Sequence, residues 1–119
     1  MSTYRIENCA GSAESARRAE LGGAYRVELC AGLPEGGTTP SYGEILTARR
    51  AISIKLNVII RPRSGDFLYT PIEVEAMLAD IRMARELGAD GIVVGCLTAD
   101  GAVDKPLLRR FVEAAEGLP

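Results

Sequence analysis

The chain has 119 residues, a net charge of −2, 47% hydrophobic and 25% charged residues, and neither histidine nor tryptophan. That is enough for one domain with a modest core. Lysine and arginine are scattered and aromatic residues make up only 5%, so there is no basic groove or stacking platform for nucleic acid. Without an imidazole, this stretch performs no histidine-dependent hydrolysis and offers no histidine ligand to a metal.

The polar start from Ser2 to Arg5 does not read as a signal peptide. Apolar runs such as Val58-Ile59-Ile60 are far too short to span a membrane. Three cysteines, an odd number, suit the reduced thiols of a cytoplasmic protein better than a disulfide framework.

In chain order, Arg5-Ile6-Glu7-Asn8-Cys9-Ala10-Gly11 reads as a β-strand, and Arg26-Val27-Glu28-Leu29-Cys30-Ala31-Gly32 repeats its design. Alternation along a strand puts Glu7 with Cys9, and Glu28 with Cys30, on one face. A strand-interior carboxylate is costly unless it meets a polar centre or a counter-ion. Arg61 is the expected partner across a barrel. The alternative is that Glu7 and Glu28 are acid–base groups with raised pKa.

Between these strands, Ser12 caps a helix with Glu14 in its first turn, and Gly22-Gly23 ends it. The glycine-rich loop from Gly32 to Ser41 leads to a helix over 42–51 with Thr39 or Ser41 as its cap, Ser41 and Glu44 having capping-box spacing. The apolar run from Leu56 to Arg61 predicts a strand covered on both faces. A helix begins at Thr70, with Pro71 at its first position and Glu73 three residues after the cap. It carries Val74, Met77, Leu78, Ile81, Ala84 and Leu87 at helical spacing up to Gly88. A strand over 91–96 and a helix over 105–116, capped by Asp104, complete four βα units.

Strict alternation predicts a parallel sheet with right-handed crossovers. Glu20-Leu21-Gly22 to Cys30 matches Glu86-Leu87-Gly88 to Cys96 at an offset of 66 residues. Such a repeat predicts a (β/α)8 TIM-type α/β barrel, which needs about 250 residues. This chain supplies about half the ring as one domain, so its open edges are expected to drive homo-oligomer formation.

Several runs together resemble the CutC copper homeostasis family: Ile6-Glu7-Asn8-Cys9, Val27-Glu28-Leu29-Cys30, Glu35-Gly36-Gly37-Thr38-Thr39-Pro40-Ser41 and Arg61-Pro62-Arg63-Ser64-Gly65-Asp66-Phe67-Leu68-Tyr69. Gly88-Ala89-Asp90-Gly91 and Thr98-Ala99-Asp100-Gly101 fit the same pattern. The resemblance covers nearly the whole chain. It implies a cytoplasmic TIM barrel that forms homo-oligomers, with Cys9 and Cys30 at the positions of the family's copper-binding cysteines. Cys96 stands where relatives carry a small residue.

Neighbouring strands lie about 4.8 Å apart, so Cys9 and Cys30 at equivalent strand ends can share one soft ion. Cu(I) accepts such thiolates without histidine. Alternatively, both are small thiols filling a barrel layer. A second function class also remains, an enzyme for a small anionic metabolite. Arg61 and Arg63 would grip a carboxylate or phosphate, Gly36, Gly37, Thr38 and Thr39 would add amides and hydroxyls, and Glu7 or Glu28 would be the base.

Overall fold

The computed structural model describes residues 3–119. Strands β1 (Glu7–Ala10), β2 (Arg26–Leu29), β3 (Lys55–Ile59) and β4 (Gly91–Val93) alternate with helices α1 (Ala13–Leu21), α2 (Tyr42–Ala51), α3 (Pro71–Glu86) and α4 (Lys105–Ala114). The sheet is parallel throughout, in the order β1-β2-β3-β4. The predicted α/β half barrel is therefore what forms.

Each strand sends alternate side chains to a core shared with the helices. Ala10, Val27, Leu29, Leu56, Val58 and Ile60 are at most 1% exposed. They meet Ala16, Ile45, Ala48, Met77, Ile81 and Phe111 from the four helices. The other sheet face carries Cys9, Glu28, Asn57 and Ile59, none of them fully buried. The continuous apolar run in β3 predicted cover on both faces, yet only the helical side is covered among the described residues.

Capping follows the sequence in part. Thr70 and Glu73 form the full reciprocal box at the start of α3. At α2, Ser41 accepts from the Glu44 amide at 3.1 Å, but the Glu44 carboxylate does not close the box. It accepts instead from the Ala13 amide at 2.6 Å, where it satisfies a free donor at the N-terminus of α1 and braces one helix on the next.

The internal repeat is real but shifted by one residue. Ala24 N donates to Ala19 O and Ala89 N to Ala84 O; Gly23 N donates to Glu20 O and Gly88 N to Arg85 O. Gly23 and Gly88 both have φ +95°, the left-handed conformation that ends a helix without Cβ strain. The structural offset is thus 65, the difference between 89 and 24 or 88 and 23. A one-residue slip exchanges the two faces of a strand. Cys96 therefore belongs to the helix-side core, where its thiol donates to Asp104 O at 3.5 Å, and Gly95 takes the place equivalent to Cys30.

Candidate metal site on the inner face

Parallel register sets Glu7 opposite Arg26 and Cys9 opposite Glu28. Cys30 lies one step beyond β2 on the same face as Glu28, diagonal to Cys9. Sheet twist brings diagonal neighbours together. The two sulfurs are 3.5 Å apart, within hydrogen-bonding reach and not joined as a disulfide. Cys9 is exposed, whereas Cys30 is 3% exposed.

The loop before α2 forms the wall over Cys30. Gly37 has φ +93°, and a Cβ there would stand 3.6 Å from the Cys30 sulfur. Burial, followed by the hydrogen bond with Cys9, pushes the Cys30 thiol from its ordinary value of 9.0 up to about 12. Desolvation disfavours the thiolate. The folded form thus holds the proton more tightly than the unfolded chain, so this contribution to stability is complete below about pH 9 and is lost as the pH rises toward about 12. Cys30→Ser should flatten the alkaline fall of the urea midpoint; an unchanged alkaline fall would show that Cys30 does not ionise against folding.

The carboxylates behave differently from one another. Glu7 forms an ion pair with Arg26 on the adjacent strand. This corrects the expectation of Arg61 as its partner: residues directly opposite in register meet before any cross-barrel pair does. The Glu28 carboxylate has no hydrogen bond or ion pair among the described residues, and burial, with Glu7 nearby, raises its pKa. No group of three or more Cys, His, Asp or Glu residues able to hold a metal occurs among the described residues. The paired thiols are the two soft donors that the inner face brings together.

That donor set fits a soft ion content with two thiolates. Two sulfurs joined in line through bonds of about 2.3 Å stand about 4.6 Å apart, so the pair has to open by about 1 Å. Exposed Cys9 can supply this by rotation about χ1.

Arg61 and Arg63 sit at the C-terminal rim, with the two terminal nitrogens of Arg61 and the donors of Arg63 engaged, while Arg61 Nε has no partner. Arg61, 8% exposed, donates to Glu35 O at 3.0 Å, Gly37 O at 2.9 Å and Gly65 O at 3.0 Å. Arg63 ion-pairs with Glu73 and Asp66 and donates to Leu68 O at 2.8 Å. Arg61 stacks on Phe67 and Arg63 on Tyr69, locking the loop after β3. The backbone amides of Gly36, Gly37, Thr38 and Thr39 donate to Leu33 O, Gly32 O, Ala31 O and Arg61 O. The Thr39 hydroxyl accepts from Arg61 N. These four residues fold the loop on itself and do not present the amide cradle expected for an anion.

A cavity of about 350 Å³ lies beside Cys30's neighbour Ile59, lined also by Gly36, Arg61, Phe67, Val93 and Gly95. A larger one, about 800 Å³, opens at the strands' N-terminal end around Arg49 and Asp90. Arg49 and Asp90 there tie α2 to β3 and the turn before β4, a stabilising role usual for that end of a barrel.

A CutC family model matches residues 4–119. The chain is 62% identical over 119 residues to a CutC family protein of Bacteroides thetaiotaomicron, covering 99% of this chain and 48% of the relative. It is 53% identical over 116 residues to the mouse copper homeostasis protein cutC homolog, covering 98% and 43%. The crystal structure of a protein described as the copper homeostasis protein CutC of Streptococcus agalactiae superposes with a TM-score of 0.90 at 40% identity, covering 95% of this chain and 55% of that one. The chain spans about half the length of the curated relatives it matches. On this match over nearly its full length, the chain belongs to the CutC family.

Proposed function

We propose that the chain is a copper-handling half barrel that binds Cu(I) through Cys9 and Cys30. The observation that carries this reading is the 3.5 Å approach of two unoxidised thiols on the inner sheet face. Relatives described as copper homeostasis proteins add to it. Two soft donors, with no third ligand group beside them among the described residues, suit Cu(I) better than Zn(II), which asks for about four ligands. A reducing, cytoplasmic setting belongs to this reading, since the pair has to stay reduced. The 119 residues act as one domain. Assembly of copies along the open sheet also belongs to it, because the inner face has no helical cover among the described residues.

An enzyme acting on a small anionic metabolite has less support. Glu7 is held by Arg26 and the loop amides are engaged, which leaves Glu28 as the free carboxylate on the inner face. The two readings separate on Cys9→Ser/Cys30→Ser. Titration with Cu(I) against a competing chelator should show one tightly held ion per chain and at least about a hundredfold loss in the double variant. Stoichiometric Cu(I) retained by that variant would remove the thiol site.

A further inference from the structure

We propose that the 350 Å³ cavity at the strand ends is a binding site for a short-chain carboxylate, separate from the thiol pair. The argument starts from Arg61. Its side chain is more than nine-tenths buried and it lines the cavity. Among the described residues it has no carboxylate partner; the ion pairs belong to other arginines. Three carbonyls solvate the guanidinium without neutralising it. Its Nε is buried and has no hydrogen-bond partner. A buried charge with no counter-ion and an unused donor is costly, and an anion in the adjoining cavity would relieve both.

The lining decides which anion. Gly36, Gly37, Thr38 and Thr39 have no amide to spare, so a phosphate, which needs several donors, is poorly served. A carboxylate needs one guanidinium edge. Ile59, Val93 and Phe67 then offer an apolar wall for a short hydrocarbon tail, and the volume falls within the small-ligand range of about 300–1,000 Å³. The Phe67 ring lies over the guanidinium at 5.2 Å and is 38% exposed. It has to shift for the carboxylate to reach Nε. The position, at the C-terminal end of β3 and β4, is where parallel barrels place their ligands.

The test is calorimetric titration of the 119-residue chain with hexanoate, and separately with hexanol and inorganic phosphate. Hexanoate should bind saturably, with hexanol and phosphate at least about tenfold weaker. Gly95→Leu fills the cavity from a position where a Cβ has room, its nearest neighbour being Phe67 at 3.9 Å, and should abolish hexanoate binding. Val93→Phe fills the same space from the strand and serves if Gly95→Leu does not fold. Cys9→Ser/Cys30→Ser should bind hexanoate as the parent does, so this site and the copper site fail independently. No saturable hexanoate binding, equal binding of hexanol, or full binding by the filled variants would overturn the proposal.

Discussion

Arg61→Ala is expected to destabilise the chain by about 3–5 kcal/mol, read as a lower urea midpoint with unchanged slope. The side chain joins the glycine-rich loop, through Glu35 O and Gly37 O, to the loop after β3, through Gly65 O. Each is a charge-assisted bond worth about 1.5–3 kcal/mol, offset in part when water reaches the freed carbonyls. Arg61→Lys should recover little of the loss, because an ammonium cannot span the three carbonyls as a planar fork does. Arg63→Ala should cost only about 1 kcal/mol, since its ion pairs with Asp66 and Glu73 are partly exposed. An Arg61→Ala chain within about 0.5 kcal/mol of the parent would show that the loops hold without the clamp.

The second large effect is on metal affinity and pH. Cys30 holds its proton up to about pH 12, and a thiolate is the ligand, so Cu(I) has to displace that proton throughout the neutral range. Apparent affinity should therefore rise with pH by at least about tenfold per unit between about pH 6 and about pH 8. A chelator-competition series at several pH values reads this slope directly. Cys30→Ser should lose both the affinity and its share of the slope. An affinity for Cu(I) that does not change with pH would mean that Cys30 is not the ligand.

Much of the architecture could be read from residue order, because pattern periods are local. Ser12, Ser41, Thr70 and Asp104 cap the four helices as their spacing predicts. Pleat parity placed Glu7 with Cys9 and Glu28 with Cys30, and the strands keep that parity. The apolar pattern predicts a strand to Cys96, but β4 stops at Val93 because its one partner, β3, ends at Ile59, the residue paired with Val93.

What depends on the path of the chain in three dimensions was harder to read. The repeat looked like an offset of 66 because Glu-Leu-Gly recurs, but the turn conformation is carried by Gly23 in one unit and Gly88 in the other. That single step sent Cys96 into the core. Aligning the two repeated motifs sets Arg5 against Arg26 and Glu7 against Glu28, whereas the register sets Glu7 opposite Arg26; a two-residue stagger between strands leaves no mark in a sequence pattern. The carbonyl partners of Arg61 come from two loops, and loop paths leave no periodic signature in sequence.

The most direct test of the thiol site is X-ray absorption at the copper edge on the chain loaded with one equivalent of Cu(I). The expected first shell is two sulfur scatterers, with the signal lost in Cys9→Ser/Cys30→Ser. A shell of oxygen or nitrogen donors, or an unchanged spectrum in the double variant, would contradict it.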